Sequence, residues 1–171
     1  LLIDELDRSD EEFESFLLEI LSEWQITIPE LGTIKAKEKP YVILTSNRTR
    51  ELSDAIRRRC FYLWVDYPGF KKELDILRSK VPDCDDFLAK QICIFMELIR
   101  ERKLEKIPGV AETLDWAKTL VTLHQDHLDH KIVESTMGIV FKDRNDVEYV
   151  KNSLNDLIET IGVKIEELPK G

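Results

Sequence analysis

The sequence predicts an α/β segment followed by an all-helical one, with the change at Pro68-Gly69. Three observations carry this. Leu1-Leu2-Ile3 and Tyr41-Val42-Ile43-Leu44-Thr45 are short unbroken apolar runs of the kind that parallel sheets bury on both faces. Each ends in polar residues, Asp4-Glu5 and Ser46-Asn47-Arg48, at the carboxyl end where open α/β sheets hold ligands. Beyond Gly69 the apolar residues recur at helical spacing only.

In order, Leu1 to Ile3 read as a buried strand, and Ser9-Asp10-Glu11-Glu12 has the form of a capping box. Phe13, Phe16, Leu17, Ile20, Leu21 and Trp24 then line one face of a helix over 10–24. Gln25 to Pro29 alternates like a half-buried strand, Glu30-Leu31-Gly32 turns, and Thr33 to Lys37 returns, giving an exposed hairpin near 25–37. Tyr41 to Thr45 is the second buried strand. Ser53 caps a short helix through Arg59, and Phe61 to Val65 is a third β-type run. Helices are expected at Phe70–Lys80, Asp83–Lys103, Val110–Leu123, Asp129–Phe141 and Asn145–Ile161. The segments are therefore 1–68 and 69–171.

The chain has 171 residues, 43% hydrophobic and 35% charged, which suits soluble domains with real cores. A net charge of −9 disfavours nucleic acid as a partner, since phosphate backbones demand a basic face. Cys60, Cys84 and Cys93 lack metal spacing and read as reduced thiols of a cytoplasmic protein. No apolar run reaches the roughly 18 residues of a membrane span. The chain opens on Leu1, inside the expected strand, so a fragment lacking its amino-terminal part is expected.

Leu2-Ile3-Asp4-Glu5, the Gln25-Ile26-Thr27-Ile28-Pro29 hairpin, Thr45-Ser46-Asn47, and Ala55-Ile56-Arg57-Arg58-Arg59-Cys60 follow one another in a fixed order. Val65-Asp66-Tyr67-Pro68 and Pro108-Gly109-Val110-Ala111-Glu112-Thr113-Leu114-Asp115-Trp116-Ala117 continue it. In this order the chain resembles the second half of a MoxR-family AAA+ ATPase, closest to the CoxD-like branch, over roughly Leu1 to Phe141. The resemblance implies a partial P-loop NTPase core over 1–68, with the inserted hairpin, and a helical lid over 69–171.

It also implies roles. Asp4 and Glu5 resemble a Walker B pair, Asp4 holding Mg²⁺ through water and Glu5 orienting or deprotonating the attacking water. Asn47 matches sensor 1, where a carboxamide can both donate and accept; an Asn that merely ends a strand in a turn is the plain alternative. Arg59, and after it Arg58, resembles an arginine finger that reaches the neighbouring subunit's nucleotide. ATP and Mg²⁺ are the implied cofactors. The implied partners are further copies in a ring, typically a hexamer, and a client complex under maturation, often with a von Willebrand factor A-domain protein.

The chain departs from the family in two places. Ala111 and Glu112 stand where many relatives carry a sensor 2 arginine. No G-x-x-x-x-G-K-[ST] occurs, so the chain by itself is expected not to hydrolyse ATP. In the family's strand order the phosphate-loop strand would lie beside Phe61–Val65. Without it, self-association, element swapping or poor order of the α/β part is expected. His124, His127 and His130, with Asp126 and Asp129, could ligate a metal, yet they read as a polar connector between helices. The alternative to an ATPase is a helical interaction or scaffold module without turnover.

Overall fold

A computed structural model describes residues 1–168. β1 (Leu2–Ile3) leads into a single 3-10 turn, Leu6–Arg8, and then α1 (Glu11–Glu23). The carboxylate of Asp10 caps α1 by accepting from Phe13 N at 2.7 Å. The expected capping box at Ser9 does not form: Ser9 instead donates its hydroxyl to Leu6 O at 2.8 Å. Trp24 ends α1 in the left-handed conformation, and β2 (Gln25–Ile28) and β3 (Gly32–Lys35) follow as an antiparallel hairpin. Glu19 ties the hairpin to α1, taking Gln25 Nε2 at 3.0 Å, Thr27 N at 3.1 Å and Thr27 Oγ1 at 2.6 Å. Gly32, at φ 78°, supplies the turn's left-handed residue.

β4 (Ile43–Leu44) pairs in parallel with β1, Leu2 opposite Ile43 and Ile3 opposite Leu44. Ser53 caps α2 (Asp54–Arg57) by accepting from Ile56 N at 3.4 Å. Leu6, Leu17 and Ile56 form a small buried core, with Ile3, Leu21 and Leu44 packed on it.

Two further expectations fail in this part. β1 is not buried on both faces: Leu1, Leu2 and Ile43 are exposed, because a two-stranded pair has one covered face and two free edges. Phe61–Val65 is not a strand. It has the residues of one but pairs with no strand among the described residues, and Phe61, Tyr62, Leu63 and Val65 stand exposed.

Chain contacts divide the molecule after Val65. From Asp66 onward the second unit is helical: α3 (Phe70–Lys80), α4 (Asp86–Arg100), α5 (Val110–Thr122), α6 (His130–Val140), α7 (Arg144–Asn152) and α8 (Leu154–Glu167). α4 is its central helix, burying Leu88, Ile92, Phe95, Met96 and Ile99 among others. Phe95 packs on Trp116 of α5 with ring centroids 4.9 Å apart, and Trp116 Nε1 donates to Thr136 Oγ1 at 2.8 Å. The helix expected over Asn145–Ile161 is two helices meeting at Ser153. Its hydroxyl accepts from Arg102 Nη1 at 2.6 Å, and its backbone (φ −117°, ψ 14°) leaves the helical region. Taken together, the described residues form a mostly helical chain with one small two-stranded parallel sheet. None of their helices is long and apolar enough to cross a membrane.

Candidate functional site

The parallel register brings the ends of β1 and β4 side by side, so the residues after each strand interlock. Thr45 N donates to Ile3 O at 3.0 Å, and Leu6 N returns a bond to Thr45 O at 2.9 Å. Thr45 Oγ1 accepts from Glu5 N at 3.0 Å and donates to Asp4 Oδ1. One threonine thus fixes both acids.

Glu5 lies at φ 52°, ψ 44°, a conformation a non-glycine residue enters at a cost. There its two oxygens meet different donors. Asn47 Nδ2 donates to Oε1 at 3.2 Å, and Arg8 Nε approaches Oε2 at 3.2 Å from a largely exposed position. Asn47 therefore lies beside Glu5 across 42 residues of sequence.

Beneath them sits Asp7, 2% exposed. Its carboxylate accepts from Asn47 N at 3.1 Å, Thr49 N at 2.8 Å and Thr49 Oγ1 at 2.6 Å. The Thr49 hydroxyl and amide, with the Asn47 amide, hold its carboxyl well below the usual carboxylate range. A second buried acid, Glu14, anchors the next stretch. Burial pushes its carboxyl up, but the Ser53 side chain, the Ser53 amide at 3.1 Å and the Arg50 guanidinium outweigh that and hold it low. Arg50 Nη2 stands 2.6 Å from Glu14 Oε1 as an ion pair rather than an aligned hydrogen bond, and donates to Ser9 O.

Asp4, Glu5 and Asn47 thus come together, and Asp7, Thr45 and Thr49, which the sequence reading passed over, hold them. Nothing in the local sequence marks Asp7, whose partners lie 40 and 42 residues away at Asn47 and Thr49. The arginines are elsewhere. Arg59 donates to Ser22 Oγ at 2.6 Å and to Ala55 O at 2.9 Å. Ser22 stands near the far end of α1 from Glu5, a helix of about 20 Å at 1.5 Å per residue. Arg58 is exposed, with no ion pair among the described residues.

The Thr45 hydroxyl stands beside Asp4, an exposed carboxylate whose Oδ2 has no protein partner among the described residues. A hard cation held through water fits such a set. The histidines do not converge. His127 Nδ1 pairs with Asp126 Oδ1 at 2.5 Å, and His130 Nδ1 faces Glu134 Oε2 at 3.7 Å. No metal-holding group of three His, Cys, Asp or Glu residues occurs among the described residues. Glu112, in the sensor 2 region, caps α5 by accepting from Gly109 N at 2.9 Å. An open depression lined by Asp85, Phe87, Asp126 and His127 shares no residue with the Asp4–Asn47 group.

No protein-family model and no curated protein sequence matches the chain.

Proposed function

We propose that this chain carries the hydrolytic side of a MoxR-type AAA+ ATPase site, in a protein that couples ATP hydrolysis to remodelling or maturation of a client complex. The observation that carries the reading is the Asn47 carboxamide 3.2 Å from the Glu5 carboxylate, at the carboxyl end of a parallel strand pair. A polar amide beside an acid at that place suits the orientation of a water for attack on a phosphoryl group. Bound Mg²⁺ would supply charge neutralisation at the phosphates, and Asp4 would hold it through water. Glu5 takes the water's proton or aligns it, and Asn47 fixes the direction of the Glu5 carboxylate. Arg59 serves a neighbouring copy in a ring, which explains its distance from Glu5 in its own chain. The helical unit is the lid, and the protein acts in the cytoplasm on its client, with a von Willebrand factor A-domain partner.

The test is Glu5→Gln in the intact protein. Retained nucleotide binding with turnover down about 10²- to 10⁴-fold, the range for losing a positioned general base, supports the reading. Unchanged turnover sinks it. A scaffold without turnover is the second reading, favoured by the self-sufficient core of the helical unit, and an intact protein that binds no nucleotide would leave that one standing.

A further inference from the structure

Asp7 is buried in the 3-10 turn Leu6–Arg8, and its carboxylate accepts three hydrogen bonds. A carboxylate removed from water persists only where donors replace its lost hydration. Here the three donors to the Asp7 carboxylate, two backbone amides and one hydroxyl, come from one place, the loop that follows β4: Asn47 N, Thr49 N and Thr49 Oγ1. Between them Arg48 lies at φ 59°, and after β1 Glu5 lies at φ 52°. Non-glycine residues stay in that region where their surroundings over-determine them. The Asp7 carboxylate, bonded on both sides of Arg48, is such a constraint. Because Asp7 follows Glu5 by two residues and grips the backbone of Asn47, one side chain sets the separation of the two groups that meet at 3.2 Å.

We propose that Asp7 is the positioning residue of this site: it seats the loop 46–49 so that the Asn47 carboxamide meets Glu5, and it acts on turnover through Asn47. This rests on the ATPase reading above. Loss of the Asp7 charge leaves Glu5 and Asn47 chemically intact but lets the loop slide, and small misplacements near the reacting atoms are costly in rate.

The test is a cycle of four intact proteins: unaltered, Asp7→Asn, Asn47→Ala and the double variant, each assayed for ATP turnover and for nucleotide affinity. Asp7→Asn is expected to lower kcat by at least about 10-fold with KM within about 3-fold. In the Asn47→Ala background it is expected to add less than about 2-fold, since the route through Asn47 is already gone. An equal loss in both backgrounds, or a change confined to KM, overturns the inference. Thr49→Ser, which keeps the hydroxyl on Asp7, is expected to retain kcat while Thr49→Val lowers it. That pair carries the test should Asp7→Asn fail to fold, and equal kcat in the two overturns the inference. An unaltered protein without ATP turnover overturns the ATPase reading and this inference together; an active protein with an additive cycle overturns the inference alone.

Discussion

Arg100 of α4 and Glu73 of α3 form a two-pronged ion pair inside the helical unit, Nη1 to Oε2 at 2.5 Å and Nη2 to Oε1 at 2.8 Å. Thr113 Oγ1 of α5 donates to the same carboxylate at 2.6 Å, and Arg100 Nε donates to Pro108 O at 2.9 Å. Tyr67 stacks on the guanidinium with 5.0 Å between Cζ and the ring centre. One arginine thereby ties three helices and two loops. Removing one partner of a buried pair leaves the other charged and unpaired, so Arg100→Ala is expected to cost about 3–5 kcal/mol. Arg100→Lys recovers only part of this, because an ammonium cannot match the fork. Denaturant unfolding of the helical unit checks both, with midpoints shifting at unchanged slope.

If Arg59 completes a neighbour's site, its loss and the loss of Glu5 fall on different sites of the ring. Arg59→Ala is expected to lower turnover by about 10³-fold with nucleotide binding kept, within the range for arginine fingers. Mixing Arg59→Ala with Glu5→Gln subunits then restores activity at interfaces that pair an intact Arg59 with an intact Glu5. Activity in the mixture no greater than the sum of the two variants counts against a finger acting in trans.

The thiols predict an alkaline limit. Burial pushes Cys93 up to about 12, with the Glu73 charge adding to it, and burial with Asp85 and Asp86 pushes Cys84 up to about 11. A thiol whose folded value lies above its unfolded one binds its proton more tightly when folded. The stability involved is complete below about pH 9 and declines as pH rises from there toward 11–12. Denaturation midpoints of the helical unit measured from pH 8 to 11 are expected to fall, and Cys93→Ala to flatten the decline. Cys93 is fully buried, so alkylation there is expected only at the rate of unfolding.

The first unit predicts an acid limit instead. Asp7, Glu14 and Glu19 are all held below their ordinary values. Asp7 and Glu19 owe this first to the threonine hydroxyls of Thr49 and Thr27. A depressed folded value gives stability that is present above the unfolded value and lost as pH falls toward the folded one. The unit 1–65 is therefore expected to lose its amide dispersion as pH drops through 4.5 to 3.8 and below. The lowered acids of the helical unit, Asp86, Asp126 and Glu134, are on the surface, where such pairs contribute little. That unit is expected to persist to lower pH, which residue-resolved NMR during an acid titration would show.

Phe61-Tyr62-Leu63-Trp64-Val65 is uncharged, free of proline and made of strand-forming residues, the composition of an aggregation-prone window. Light scattering is expected to show mass rising with concentration, and Leu63→Lys, at a position 84% exposed, to suppress it at little cost in stability. A concentration-independent monomer would contradict this.

How much of this was legible depended on where each residue's partner lay. The helices α3 to α6 could be placed because the apolar residues beyond Gly69 recur at helical spacing. Asp10 was one residue from the expected cap, and Ser153 hid a helix break because Val150, Leu154, Leu157 and Ile161 keep a helical period across it. Phe61–Val65 had the composition of a strand, but a strand also needs an edge to join, and composition does not supply one. At the site, Asp4, Glu5 and Asn47 were marked by their strand ends. Asp7 looked like one more charge in an acidic run, because its donors lie at 47 and 49.

The register of β1 against β4 also sets an order of events in folding. The bonds that close the parallel pair β1–β4, from Leu1 N to Tyr41 O through Thr49 to Asp7, span 39 to 42 residues. A loop of that length must be closed before any of those bonds rewards it, and the pair that results is only two residues long on each strand. In the helical unit, α3 on α4 and α5 on α6 are neighbours in sequence, while α8 returns to α4, where Lys164 meets Glu97 across 67 residues. The Glu5–Asn47 encounter, 42 residues apart, is therefore expected late, after the local helices and the β2–β3 hairpin have formed.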